Sequence, residues 1–285
     1  MDQNFYCLDA KNGKEIWRFA MENGTVGNPA FYNNRIYCGY SDYNFYCLDM
    51  DGNMVWNFKC DKPISAWPPV VESERVYFGS WDCHMYCLDT DGNLKWKFSA
   101  PHPVMAPHYW DGKIYFGCWD NNVYCIDAEN GDFIWKYGTN GFASGSFGIS
   151  NNTVFTGSTD NNVYAIDAVK GKLLWKFKTN GMIIQMSVFD DRIYASSWDC
   201  NLYCIDKDGN LLWKFHTSLS SPSKITPPES MIAKTAEFVW QPEMKIKKKS
   251  TDDEITIVDY GEFSGAYIDT TKTDYLGLKK KGYIK

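Results

Sequence analysis

The sequence predicts an all-β fold built by radial repetition of four-stranded antiparallel units, and three observations predict it. First, a short stretch, VYCIDAENGDFIW at residues 123–135, occurs in six versions. Second, the copies end at Trp17, Trp56, Trp96, Trp135, Trp175 and Trp213, so they recur at spacings of 39, 40, 39, 40 and 38 residues. A period near 40 made of strand-like segments is the signature of blades arranged around an axis. Third, the chain between successive copies carries two further strand-like pieces, so one period holds four strands, here termed A to D.

Within each copy, strand C is rich in aliphatic, β-branched and aromatic residues, as in VYCID. A turn follows, on Gly13, Gly52, Gly92, Gly131, Gly171 or Gly209; glycine supplies the backbone freedom a tight hairpin needs. Strand D carries the Trp. A Trp at a fixed place in every repeat is expected to pack between neighbouring repeats, where its loss costs roughly 3–5 kcal/mol. Its indole N–H then needs an acceptor, which the sequence does not name. Trp17, Trp56, Trp96, Trp135, Trp175 and Trp213 are therefore expected to be structural.

This pattern, a small residue, Ile or Leu, Asp, a Gly turn and then Trp, resembles the tryptophan-docking motif of PQQ-like (quinoprotein alcohol dehydrogenase-like) β-propellers. The outer-membrane assembly lipoprotein of the BAM complex is similar. The motif usually has Ala before the aliphatic residue and Asp. Here only Ala165 keeps it, with Cys7, Cys47, Cys87, Cys125 and Cys204 elsewhere. The resemblance covers about residues 1–216 and implies the fold more than the activity, because one fold hosts many functions.

Along the chain, five complete blades are expected from residue 24 to 216, each with a B strand such as RIYCG, RVYFG, KIYFG, TVFTG or RIYAS. Residues 1–23 supply only strands C and D, so the missing A and B are expected from the C-terminus, with strand 4–8 pairing with 282–285. A ring that leaves this edge open would expose unpaired backbone. Residues 217–285 lack the motif but hold six strand-like pieces, at 224–226, 236–240, 244–249, 254–260, 265–270 and 282–285. These make one degenerate blade plus the closing strands. The expectation is one domain over residues 1–285 with seven blades, six blades with a decorated tail being the alternative.

Composition bounds the function. The chain has 285 residues, 44% hydrophobic and 17% aromatic, enough for a sizeable core. No run of 18 apolar residues suggests a membrane span, and no signal peptide is visible. Five of the ten cysteines share one repeat position and no C-x-x-C pair occurs. Reduced, buried thiols and a cytoplasmic monomer are therefore expected. The net charge is −6, and residues 1–216 hold 25 acidic against 18 basic side chains, which argues against a nucleic-acid partner.

In such a fold the B–C turns and D–A links share one face, and the A strands line the channel. The B–C turns read YSDYN, SWDCH, CWDNN, STDNN and SWDCN. Asp42, Asp82, Asp120, Asp160 and Asp199, with Asp2, would form a carboxylate ring, or each bonds its own turn; repetition in every blade favours the turn. Trp81, Trp119 and Trp198 precede that Asp in three blades only, with Ser41 and Thr159 elsewhere. Such asymmetry suits a binding patch, which Trp67 and Met105 would join; packing over the neighbouring loop is the alternative.

The channel stretches 25–32, 64–71, 104–109, 142–149 and 182–189 contain no Asp, Glu, Lys or Arg. The resemblance implies, for the family's dehydrogenases, a carboxylate-bearing quinone (PQQ) held by basic residues and calcium, and these stretches offer neither. The histidines 84, 102, 108 and 216 show no metal spacing beyond the His102/His108 pair. The lysine runs 245–249 and 279–281 suit a guarded edge strand better than an anion site. The expectation is a non-catalytic scaffold without cofactor or metal, binding a protein or peptide through its loop face. A quinone-dependent oxidoreductase, or a relic that still binds a small molecule, is the alternative.

Overall fold

The alternation of strand C, turn and strand D recurs in three dimensions as a series of small twisted sheets. The structure is a computed structural model and describes residues 3–21, 27–65 and 67–217. The chain divides into two units, Met1–Ser218 and Leu219–Lys285. All described residues belong to the first. The tail strands, the pairing of 4–8 with 282–285, the lysine runs and the choice between six and seven blades lie outside the described residues.

Every regular element described is a strand. A two-stranded sheet comes first, β1 (Asn4–Leu8) with β2 (Glu15–Ala20). Blade 1 is β3 (Ala30–Tyr32), β4 (Arg35–Gly39), β5 (Asn44–Asp49) and β6 (Met54–Lys59). Blade 2 is β7 (Val70–Glu72), β8 (Arg75–Gly79), β9 (His84–Asp89) and β10 (Leu94–Ser99). Blade 3 is β11 (Val104–Trp110), β12 (Lys113–Cys118), β13 (Asn122–Asp127) and β14 (Phe133–Gly138). Blade 4 is β15 (Ala143–Ser150), β16 (Thr153–Ser158), β17 (Asn162–Asp167) and β18 (Leu173–Lys178). Blade 5 is β19 (Ile183–Phe189), β20 (Arg192–Ser197), β21 (Asn201–Asp206) and β22 (Leu211–His216). Each blade is an antiparallel meander in sequence order. Among the described residues no helix is long and apolar enough to cross a membrane.

Turn chemistry sets these hairpins. The A–B turns are residue pairs that both have positive φ: Asn33–Asn34, Ser73–Glu74, Asp111–Gly112, Asn151–Asn152 and Asp190–Asp191. That is the primed turn whose twist matches two flanking strands. In blades 1 and 2 the A strands are shorter than the expected stretches 25–32 and 64–71. Pro29, Pro68 and Pro69 lack the N–H that a ladder needs and restrict pairing to β3 and β7, with one bridge at Ile64–Ser80.

The motif's small residue has a geometric reason. Cys7, Cys47, Cys87, Cys125, Ala165 and Cys204 each sit directly across the C–D ladder from the Trp, as in Cys125 opposite Trp135. A bulge follows at once, between Cys125 and Ile126 in blade 3, and re-aims the strand into its turn. A larger side chain there would compete with the indole for the same space.

The Trp then reaches the next sheet. Trp17 Nε1 donates to the Met50 carbonyl at 2.8 Å, Trp56 to Thr90 at 2.9 Å, Trp96 to Ala128 at 3.1 Å, Trp135 to Ala168 at 3.0 Å and Trp175 to Lys207 at 2.8 Å. Each acceptor is the residue just after the motif Asp of the following blade. Each ring also lies on that blade's turn glycine: a Cβ on Gly52 would come within 2.6 Å of Trp17, and one on Gly131 within 2.8 Å of Trp96. The core is accordingly a chain of inter-sheet clusters, such as Tyr77, Trp96, Phe116 and Tyr124 between blades 2 and 3.

Candidate functional site

At the B–C turns of blades 2 to 5, a backbone bond ties the turn to the link that enters its own A strand. The N–H of Trp81 donates to Pro63, Trp119 to Pro103, Thr159 to Phe142 and Trp198 to Met182, at 2.9–3.1 Å. This tether holds the residue before the Asp at the strand ends, where its side chain leaves the sheet.

The Asp that follows is spent on its own turn. In each blade one carboxylate oxygen accepts the N–H two residues on, from Asn44, His84, Asn122, Asn162 or Asn201, at 2.9–3.2 Å. The other accepts the phenol four residues on: Tyr46 and Tyr86 at 2.8 Å, Tyr124 at 2.5 Å, Tyr203 at 2.6 Å, and Tyr164. Burial pushes the carboxyls of Asp120, Asp160 and Asp199 up, but the Tyr and Asn hydrogen bonds outweigh it and hold them below the usual range. Burial and the Asp199 bond push the Tyr203 phenol up to about 12. These carboxylates brace turns; Asp2 lies outside the described residues.

The tryptophans before them gather in part. The rings of Trp81 and Trp119 are 5.3 Å apart and tilted by 54°. Trp119 also stacks on Phe142 at 5.3 Å and 21°, and its Nε1 lies 3.1 Å from Met105 Sδ. These side chains stay open to solvent, with Trp81 39%, Trp119 36% and Phe142 41% exposed. The result is an aromatic ladder across blades 2, 3 and 4. Trp198, 54% exposed, stands in blade 5, separated from the ladder by the Thr159 turn, and the half-buried Trp67 makes no ring contact with it among the described residues. Sequence reasoning did not include Phe142. Its signal is positional: it holds the place of Pro63, Pro103 and Met182, the link residues that tether the turns.

Elsewhere the polar groups are scattered. His84 Nδ1 lies 2.9 Å from the Asp82 carbonyl, and the His108 ring packs on Phe147 at 5.2 Å. Among the described residues no three His, Cys, Asp or Glu side chains gather as metal ligands would. The ten cysteines are free thiols. Burial pushes Cys47 and Cys87 up to about 11 and Cys125 up to about 12, far from the reactive thiolate range.

Residues 2–141 and 119–247 match the family described as outer membrane protein assembly factor BamB. The chain belongs to that family. The repeat resemblance read from the docking motif is thus borne out, and the blades are those of a PQQ-like propeller. The crystal structure of BamB from Moraxella catarrhalis is similar, with a TM-score of 0.67 at 16% identity over 76% of this chain and 71% of that one. The computationally designed Ika8 protein is also similar, with a TM-score of 0.65 at 16% identity over 73% of this chain and 66% of that one. At such identity the likeness is one of fold. No curated protein sequence matches the chain.

Membership of the BamB family corrects the expected cytoplasmic location, because the family is one of outer membrane assembly. The structure shows why the cysteines misled. Those opposite the docking Trp are fully buried in four of five cases and fill a site that tolerates only a small side chain. Such thiols report on packing and carry no information about redox compartment.

Proposed function

We propose that this BamB-family propeller is a non-catalytic scaffold that binds a protein or peptide partner in outer membrane protein assembly, through the Trp81–Trp119–Phe142 ladder. The observation that carries the reading is the ladder itself. Three exposed rings run in series across three blades, Trp119 touching both Trp81 and Phe142, while the Asp residues beside Trp81 and Trp119 are engaged by their own turns and, for Asp82, by the Asp61 N–H as well. What is left for a partner is apolar, aromatic surface with one polarizable thioether, the composition of an interface hot spot. Such a surface takes apolar side chains of an extended or loop segment, each ring offering large area at little entropic cost. The family's description as an assembly factor supports a partner that is itself a protein.

The test is site-specific photo-crosslinking in the native cell envelope, with a photoreactive residue at Trp119 and, as control, at the exposed Leu94 of β10. The expected result is one or a few discrete protein adducts from position 119 and none of the same mass from 94. Identical adducts from both positions, or none from 119, would remove the ladder as the binding surface.

A further inference from the structure

Three of the four junctions between the described four-stranded blades carry a second device at the opposite strand ends, and the fourth lacks it. The first and third residues of strand B are Arg35 and Tyr37 in blade 1, Arg75 and Tyr77 in blade 2, and Lys113 and Tyr115 in blade 3. At each of these junctions at least one of the two reaches the C–D turn of the next blade, where the docking Trp also ends. Arg35 Nη1 donates to the Thr90 carbonyl at 2.5 Å, the same oxygen that Trp56 uses, and pairs with the carboxylate of Asp91 at 3.5 Å. Arg75 donates to the Glu129 carbonyl at 3.2 Å and pairs with its carboxylate. The phenols of Tyr77 and Tyr115 donate to the carbonyls of Ala128 and Ala168, each at 3.2 Å.

Blade 4 has Thr153 and Phe155 at these two places. The register is unchanged, since Thr153 faces the motif Asp167 as Arg35 faces Asp49. Neither place therefore offers the guanidinium or phenol that reaches the next blade at the other three junctions. Among the described residues only Trp175 donates to the Lys207 carbonyl. Asp208 still occupies the place of Asp91 and Glu129, without a strand-B arginine to meet it. A cavity of about 310 Å³ opens in the gap, lined by Thr153, Phe155, Trp175, Val188, Asp191 and Asp208 among others. Asp208 holds the rim lysine Lys207 at 3.0 Å, both exposed, and Asp191 accepts from Asn151 Nδ2 at 2.9 Å.

The geometry points to a binding pocket for a guanidinium group supplied from outside this blade junction. The chain itself shows what fits such a site: Arg35 and Arg75 fill it at two junctions. Lysine does not serve in the same way, because Lys113 turns back to the Asp111 carbonyl at 3.1 Å, and Val169 stands where the next blade's acid would be. A planar guanidinium has donors for both the Lys207 carbonyl and the Asp208 carboxylate, and an apolar face for Trp175 and Phe155. The pocket lies at the A–B and C–D turns, away from the aromatic ladder, and does not depend on it. The guanidinium belongs either to an arginine side chain of a partner protein or to free arginine.

Calorimetric titration of the full chain with N-acetyl-L-arginine amide, free L-arginine and N-acetyl-L-lysine amide tests this. The expected result is saturable one-to-one binding of the capped arginine with a Kd on the order of 1 mM, usual for a fragment of that size. The capped lysine should bind at least ~10-fold more weakly, since an ammonium lacks the planar fork. Capped arginine binding as tightly as the free amino acid, or more so, assigns the site to a partner's side chain; tighter binding of free arginine assigns it to the amino acid. Thr153→Arg refills the gap from within and should abolish binding while the melting temperature stays equal or rises. If that variant does not fold, Asp208→Asn decides, with a several-fold loss of affinity expected. Absence of saturable binding to the wild type, equal binding of the capped lysine, or unaltered binding in Asp208→Asn would overturn the proposal.

Discussion

At the residue scale, the B–C turn shows how one position balances strain against sequence freedom. The residue after the turn Asp takes a left-handed conformation in every blade: Tyr43, Cys83, Asn121, Asn161 and Cys200 have φ between 61° and 76°. Asn tolerates this region, whereas most residues with a Cβ pay for it. Cys200 is exposed and gains nothing from burial. Cys200→Asn should therefore raise unfolding stability by about 0.5–1 kcal/mol, measured by denaturant titration. The carboxylates before it give a second expectation. Folding lowers the pKa of Asp120, Asp160 and Asp199, so their contribution is present above the unfolded value near ~4 and is lost as pH falls through the lowered folded value. Stability should hold from neutrality to about pH 5 and drop below pH 4, and Asp160→Asn should flatten part of that drop. Sequence reasoning reached the turn role of these Asp residues because Asp commonly bonds its own turn and recurs at this place in every blade, which a site for one ligand does not need. It could not reach the Trp acceptors. They are backbone carbonyls of Met50, Thr90, Ala128, Ala168 and Lys207, so no residue type marks them.

At the scale of the element, the C–D hairpin is both a blade edge and a receptor for the preceding blade. Its glycine has two duties, a positive φ and a flat surface for the indole. Two positions separate them. Gly13 and Gly131 share the turn and nearly the same φ, 69° and 77°, but among the described residues a Cβ on Gly13 meets nothing within 4 Å, whereas one on Gly131 meets Trp96 at 2.8 Å. Gly13→Ala should cost about 1–2 kcal/mol from backbone strain alone. Gly131→Ala should cost that plus roughly 1–3 kcal/mol for the displaced ring. Equal losses in thermal or chemical denaturation would show that the indole contact carries no energy. The strand pattern and the hairpin turns were legible here because each blade repeats them. The shortening of β3 and β7 was not, because the prolines that cause it fall inside otherwise strand-like stretches.

At the scale of the molecule, the family fold sets five four-stranded blades in series, and the departures from the repeat carry the functional readings. Ladder tryptophans occur where other blades have Ser41 and Thr159, and the junction cavity occurs where Thr153 replaces arginine. That Trp81 and Trp119 lie side by side was legible because they occupy equivalent turns of adjacent blades. That Trp67 and Trp198 make no ring contact with them among the described residues was not, since it depends on which loops lean together. The central claim is that the ladder binds a protein and does not hold the blades together. Docking Trp135, only 7% exposed, should cost roughly 3–5 kcal/mol as Ala and lower the melting temperature accordingly. The most direct measurement is the melting curve and the position-119-dependent partner's affinity for the double variant Trp81→Ala, Trp119→Ala. The account predicts a melting temperature close to wild type, the change in stability staying within about 1 kcal/mol, with partner affinity reduced at least ~30-fold. A folded double variant that binds that partner as wild type does, or one that melts as low as Trp135→Ala, would contradict it.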